Sequence, residues 1–338
     1  MSETASHAAL EPRLEAFLAE RYGARSSTLE VEPLSGDASA RRYFRLRDGA
    51  ATSVLALYPE PFEAASSRFV AIRRLLANWG LPVPEILDHD AARGVLLLED
   101  LGDVTLQAAL PGASAGQRLA FYREALEQLA RLQREATRSG GGADCFEVAF
   151  DIEKLSWELH YFLKHFVEGL RGAELTVADR STLAEAFHRL SEEIAAWPRV
   201  LTHRDFHSRN LMPCDGRLFW IDFQDARMGP ATYDAASLLR DAYVELPEEF
   251  VAERLEEFRD KAAPGEARES FGRRFELMSA QRSLKALGTF GYMATVRRNQ
   301  VYLHYIPRTL AQLRRNLARQ PELAELRRVL ARHIEELI

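Results

Sequence analysis

The sequence predicts an α+β chain of two lobes, a small antiparallel sheet lobe followed by a larger helical lobe, and three observations predict it. β-prone runs divided by turn residues occupy Thr28 to Leu34, Arg41 to Leu46 and Ser53 to Tyr58. Beyond Gly102, apolar residues recur at intervals of three and four over long stretches, the period of helices with one buried face. Within that helical region, short strand-like segments bracket a polar loop, Leu201 to Met212, and a hairpin signalled by Asp215-Gly216. At 338 residues and 47% apolar content, the chain is long enough for each lobe to own a core. We place the sheet lobe at residues 1–98, a hinge at 99–103 and the helical lobe at 104–338.

Composition removes several classes. No apolar run approaches the ~20 residues that span a bilayer, and Met1-Ser-Glu-Thr-Ala-Ser6 lacks the charged-then-apolar pattern of a secretion signal, so a cytoplasmic protein without a membrane partner is expected. A net charge of −6 argues against bulk nucleic-acid binding. Cys145 and Cys214 sit far apart in unrelated contexts, which indicates neither a disulfide framework nor a zinc site. Of 44 basic residues only four are lysine, and the first 150 positions hold none.

In chain order, residues 10 to 22 carry helical spacing and end at Gly23. Ser35-Gly36-Asp37-Ala38-Ser39 divides the first two strands; its small residues either let backbone N–H groups approach an anion closely or make a plain hairpin turn. A helix is expected at about 62 to 79, with Glu63 at its start. Leu81-Pro-Val-Pro84 then turns into the apolar strand Val95 to Leu98, which stops at Glu99-Asp-Leu-Gly102. Three helices are marked by Leu119 to Leu132, Leu155 to Phe166 and Leu183 to Trp197, the first closed by Ser139-Gly-Gly-Gly142 and the last by Pro198. Trp157, Tyr161 and Phe162 read as core. Leu310 to Leu317 and Leu323 to Leu337 give two more amphipathic helices.

The chemistry concentrates in Leu201-Thr-His-Arg-Asp-Phe-His-Ser-Arg-Asn-Leu-Met212 and Phe219-Trp-Ile-Asp-Phe-Gln-Asp225. A carboxylate at the head of a tight loop, Asp205, can accept the proton of an attacking hydroxyl, while Asn210 and Asp222 offer hard oxygen ligands to Mg²⁺. The bland alternative is a hairpin whose Asp and Asn only shape turns; five polar identities in this order, with His203 and His207, are more specific than that. Asp225 is either a metal or substrate contact or a turn residue, and His207 reads as a packed loop histidine.

His203-x-Asp205-x-x-x-x-Asn210 followed by Ile221-Asp222-Phe223 resembles the catalytic and metal motifs of the aminoglycoside phosphotransferase and choline kinase superfamily, relatives of protein kinases. Within it, Ile221 to Tyr243 most resembles the bacterial N-acetylmuramate/N-acetylglucosamine 1-kinases of cell-wall recycling. The resemblance implies a two-lobed protein-kinase-like fold, ATP and Mg²⁺ as cofactors, and a small amino sugar as the only partner of a monomer or weak dimer. It also implies that Glu99 and Leu101 meet adenine at the hinge, that Ser35 to Ser39 and Arg42 meet the phosphates, and that His203 and Asp234 support the catalytic loop. One departure stands out. Kinases carry a lysine on the third strand, paired with a glutamate on the next helix, yet Ser53-Val-Leu-Ala-Leu-Tyr58 has no lysine and the helix only Glu63. Either the chain is a non-catalytic relative, or an arginine such as Arg41, Arg42 or Arg68 shares the phosphate charge with Mg²⁺; the intact set of Asp205, Asn210 and Asp222 favours the second.

From Leu277 to Pro321 there is no acidic residue, while arginines and aromatics are interleaved. In this family the segment faces the acceptor, so an acidic acceptor such as N-acetylmuramate suits it better than a polycation. The alternative is a solvated basic face balanced by acids elsewhere. Gln281, Arg282 and Lys285, at spacings of three and four, are the preferred acceptor contacts, together with Arg209.

Overall fold

Leu55 and Leu57 face one side of a strand and Ala56 the other, and this alternation lays out the first lobe. The computed structural model describes residues 11–34, 41–63 and 67–338. Its first elements are α1 (Pro12–Tyr22), β1 (Glu30–Leu34), β2 (Arg42–Asp48), β3 (Ala51–Leu57), α2 (Arg68–Asn78), β4 (Ile86–Asp90) and β5 (Val95–Glu99). Among the described residues these strands form an antiparallel sheet of order β1-β2-β3-β5-β4. Leu14, Phe17 and Leu18 of α1 cover one face over Leu55, Leu57, Val95 and Leu97. On the other face Ala56, Leu96 and Leu98 join the core that holds Phe69, Ile72 and Leu76 of α2. Burial on both faces explains why β5 reads as an unbroken apolar run. Each of these leucines contributes about 1.5–3 kcal/mol by leaving water.

β4 escaped the sequence reading, because Ile-Leu-Asp-His-Asp is mostly polar; it is an edge strand with an irregular register between Ile86 and Asp88. The helix expected from 62 begins only at Arg68, so Glu63 precedes it.

The helical lobe continues with α3 (Leu106–Ala109), α4 (Ala115–Ser139), α5 (Ile152–Phe162), a π-helical extension of α5 (Leu163–Leu170) and α6 (Val177–Ala195). Short strands follow, β6 (Arg199–Thr202), β7 (Leu211–Cys214), β8 (Arg217–Trp220) and β9 (Arg227–Pro230), then α7 (Tyr233–Leu239), α8 (Glu248–Ala262), α9 (Arg268–Thr295), α10 (Ile306–Arg319) and α11 (Ala324–Leu330). α4 opens with a capping box of Ser114 and Gln117 and closes on Gly140 in the left-handed region. Trp157, read as core, is 54% exposed: the buried stripe of α5 is Leu155, Leu159 and Phe162, and Trp157 falls outside it.

α9 is the axis of this lobe and packs against α5, its π extension, α7 and α10. Two glycines permit the approach: a Cβ at Gly291 would lie 2.2 Å from the His165 carbonyl oxygen, and one at Gly288 would lie 2.9 Å from the Phe162 Cα. That closeness fixes where the next turn of α9 back, with Lys285, meets the loop between β6 and β7.

Candidate active site

β6 pairs with β9, and β7 with β8 through the tight turn Asp215-Gly216, so the loop 203–210 and the segment 221–226 are held side by side. Ile221 N–H donates to the Asn210 carbonyl at 3.0 Å and ties them directly. Arg204 and Asp222 both adopt positive φ, 85° and 62°, conformations a non-glycine residue keeps only where its surroundings enforce them. For Arg204 the enforcing group is Asp234, at the start of α7. Its carboxyl accepts from His203 N–H at 2.6 Å and Arg204 N–H at 3.0 Å. Burial pushes Asp234 up to about 7 against the pull of those two N–H groups. Burial also pushes His203 down to about 4, against the pull of Asp205, and its Nε2 meets the Ile221 carbonyl at 3.0 Å.

Asp205 lies on the wall of a cavity of about 950 Å³ between the two lobes. Lys285 Nζ donates to its Oδ1 at 2.9 Å, Arg282 lies 3.6 Å from the same oxygen, and Arg204 Nε is 3.8 Å from Oδ2. Burial pushes this carboxyl up, but Lys285, Arg282 and Arg204 outweigh it and hold the group well below the usual carboxylate range. These cations favour the ionised form of Asp205. Arg282 is itself steered by Tyr233, whose hydroxyl accepts from it at 2.6 Å.

Asn210 donates its amide nitrogen to the Asp205 carbonyl at 2.9 Å, which leaves the amide oxygen for another partner. Asp222 lines the same cavity and accepts from Gln224 Nε2 at 2.7 Å. Burial pushes Asp222 up; Gln224 opposes this, Asp205 adds to it, and Arg41 opposes it again. A carboxylate raised in this way gains from a cation beside it. Among the described residues no group of three or more His, Cys, Asp or Glu converges on one point. One amide oxygen and one carboxylate fit the habit of Mg²⁺, which takes one or two protein oxygens and the rest from phosphates and water.

Glu99 and Leu101 line the same cavity, and Leu101 packs with Met212 and Phe219. It does not bring Arg42 there: that side chain is exposed and pairs with Glu11 at 3.1 Å. Ser35, Gly36, Asp37, Ala38 and Ser39 lie outside the described residues. Arg209 lines the cavity, with its guanidinium 4.9 Å from the Tyr243 ring and 5.5 Å from Tyr302. Arg282 and Lys285 reach Asp205, whereas Gln281, one residue round α9, is fully buried and donates to Glu158 at 2.8 Å. Asp225 pairs with Arg204 at 2.8 Å. Beyond these, Arg308 donates to the Tyr243 carbonyl, and Arg315 and Arg319 pair with Glu248, so most of the acid-free segment is balanced by partners outside it.

Two features have no signal in the sequence. Arg45, 6% exposed, makes twin hydrogen bonds to Asp100 at 2.7 and 3.0 Å and to Asp103 at 2.8 and 2.9 Å. Asp241 accepts from Ser208 N–H at 2.9 Å and Tyr243 N–H at 2.8 Å, and so supports the far end of the loop as Asp234 supports the near end.

A sheet lobe and a helical lobe, with Asp205, Asn210 and Asp222 lining one cavity between them, are the arrangement of a kinase-like phosphotransferase. The chain belongs to the phosphotransferase enzyme family whose model matches residues 30–270. It is 36% identical over 327 residues to the N-acetylmuramate/N-acetylglucosamine kinase of Pseudomonas aeruginosa, covering 94% of this chain and 92% of that one. The kinase of the same name from Neisseria meningitidis is 36% identical over 298 residues, covering 86% and 87%. In fold it is similar to an aminoglycoside phosphotransferase solved in ternary complex with AMP-PNP and hygromycin B, at a TM-score of 0.58 and 18% identity over 91% of this chain and 99% of that one.

Proposed function

We propose that the chain transfers the γ-phosphoryl group of ATP to the anomeric hydroxyl of N-acetylmuramate or N-acetylglucosamine, as a cytoplasmic sugar 1-kinase of peptidoglycan recycling. The observation that carries the reading is the Asp205 carboxylate, held ionised by Lys285 and Arg282 on a cavity wall shared with Asn210 and Asp222. Asp205 accepts the proton of the sugar hydroxyl as its oxygen attacks the γ-phosphorus and ADP leaves. Mg²⁺, held by Asn210 and Asp222, neutralises charge on the phosphates when bound. Residues 99–103 serve as the hinge, with Glu99 and Leu101 beside the adenine.

The acceptor end favours an anionic or neutral sugar over a polycation. Arg204, Arg209, Arg282 and Lys285 line it, and a guanidinium binds a carboxylate through parallel hydrogen bonds while tyrosine faces suit a sugar ring. The names of the relatives above agree with this choice. ³¹P NMR of the protein with Mg-ATP and a panel of acceptors tests it: a sugar 1-phosphate resonance is expected with both amino sugars. Turnover of choline or an aminoglycoside with none on the sugars would overturn the acceptor assignment.

A further inference from the structure

The helical side of the cavity carries an apolar lining to which phosphoryl transfer itself gives no work. Leu101, Met212 and Phe219 form one small apolar cluster, beside the residues read as the hinge. A second lining belongs to the main core instead. Phe290 of α9 and Tyr302 both line the cavity as a stacked pair with ring centroids 5.7 Å apart, and Ala286 and Thr289 line it next to them.

The phase of α9 sets where this lining lies. Arg282, Lys285, Ala286, Thr289 and Phe290 all line the cavity, at the spacing that puts helical residues on one face. That face changes character along its length. Arg282 and Lys285 meet Asp205 at 3.6 and 2.9 Å, and from Ala286 onward, within one turn of about 5.4 Å, the lining becomes alanine, threonine and phenylalanine. Tyr302, in the turn Gln300–Tyr305 that follows α9, closes the notch; it is 5% exposed and Phe290 is 1% exposed. Tyr243 ties the notch to the catalytic loop, with its ring 5.1 Å from His207 and 6.1 Å from Phe290.

The acceptor's chemistry has a matching order. In an N-acetylated amino sugar the attacking hydroxyl is on C1 and the acetamido group is on C2, the next carbon. With the C1 hydroxyl on Asp205, the neighbouring side chains Arg204, Arg282 and Lys285 are cationic and offer a methyl group nothing. The acetyl methyl gains by leaving water only against an apolar wall, and one begins within a turn of Lys285. Thr289 Oγ1 donates to the Lys285 carbonyl at 3.2 Å, and its oxygen keeps the capacity to accept from the acetamido N–H.

We infer that Ala286, Thr289, Phe290 and Tyr302 form a notch that receives the acceptor's 2-acetamido group, so that α9 reads the N-acyl substituent with the same face that steers Asp205. The inference rests on the sugar-kinase reading above, and adds to it the residues that separate N-acetylated sugars from plain hexoses.

Steady-state kinetics of the full chain and its A286G, A286V and T289V variants, with Mg-ATP and N-acetylglucosamine, N-propanoylglucosamine or glucose, test it. A286V is expected to lower the kcat/KM ratio of the N-propanoyl to the N-acetyl sugar by about tenfold, and A286G to raise it by a similar factor, the scale on which an apolar pocket resolves one methylene. T289V should lower both N-acyl sugars together by about 5- to 10-fold, the scale of one hydrogen bond, with their ratio and glucose turnover as in the parent. Ratios equal to the parent's in both Ala286 variants would overturn the assignment, because each ratio is internal to one sample and indifferent to how much of it is folded. An equal loss for glucose and N-acetylglucosamine in A286V would overturn it too, since the sugar ring rather than its substituent would then rest on this wall. A parent that phosphorylates neither N-acyl sugar sinks the sugar-kinase reading itself, whereas unchanged ratios in an active parent touch the notch alone.

Discussion

The two walls of the cavity manage charge in opposite ways. On the helical wall the proton acceptor is already in contact with its cations: Lys285 is bonded to Asp205, and Arg282 and Arg204 stand within 4 Å of it. On the sheet wall the strongest pairing, Arg45 with Asp100 and Asp103, is spent on joining β2 to the residues after β5, while Arg41 rests over aromatic rings at the cavity edge. The difference teaches a division of labour. The helical wall biases a protonation state before any ligand arrives; the sheet wall fixes a shape, with its cavity-facing Arg41 held against Tyr58, Phe69 and Tyr43.

The sharpest way to break the comparison is Asp205→Asn. The proposed mechanism predicts a kcat about 10²- to 10⁴-fold lower, with ADP affinity unchanged in calorimetry, because the substitution removes the proton acceptor and leaves the sheet wall intact. Unchanged kcat would mean that the helical wall is not where the proton goes. Next in size is Arg45→Met on the other wall. It strands Asp100, whose side chain is 5% exposed, without its cation, and leaving a buried charge unpaired costs about 3–5 kcal/mol. A urea unfolding midpoint close to the parent's would show that the clamp is ornamental.

Lys285→Met probes the coupling on the helical wall itself. With Lys285 in place Asp205 is held well below the ordinary carboxylate value, so kcat/KM has no acid limb from this group near neutrality. Without it, burial regains influence and the Asp205 pKa rises. Activity should then fall on the acidic side, about tenfold for each unit by which the pKa exceeds the pH, and recover toward alkaline pH. A pH profile merely scaled down, with the same shape, would reduce Lys285 to a packing role.

How much of this was legible beforehand follows from the range over which each residue acts. Asp205, Asn210 and Asp222 were readable because the loop and hairpin that gather them are local, with turn chemistry written at Asp215-Gly216. β9 was not, since Arg-Met-Gly-Pro has little strand character and pairs with β6 only because Gly229 lets Phe150 and Thr202 approach. The Arg45 clamp depends on how β2 stands to residues beyond β5, two strands away in the sheet. Arg41 and Arg42 illustrate the limit most plainly. Arg42 opens β2 and Arg41 immediately precedes it, so neighbouring side chains diverge and a one-residue shift exchanges them; of the arginines named for the phosphates, Arg41 lines the cavity and Arg42 does not. Gln281 was misplaced in the same manner, one step round a helix from the face that carries Arg282 and Lys285 to Asp205.

The smallest expected effect serves as the control that separates folding electrostatics from those of the proton acceptor. Glu248, at the start of α8, accepts from Arg240 at 2.6 and 2.9 Å and from Arg319 at 3.0 Å, none of which bonds Asp205 among the described contacts. Partial burial pushes this carboxyl up, but the bonds from Arg240 and Arg319 outweigh it and bring it down to about 2. A folded-state pKa below the unfolded one contributes stability that is complete above the unfolded value of about 4.3 and disappears as pH falls toward about 2. Because the Glu248 side chain is 37% exposed, solvent screening limits the contribution to about 1 kcal/mol or less. Glu248→Gln should therefore lose less stability than the parent between pH 6 and pH 3 in urea titrations, with the kcat/KM pH profile unmoved. If that profile shifts in step with the stability curve, the charge around Asp205 is not insulated from the rest of the helical lobe, and the contrast between the two walls fails.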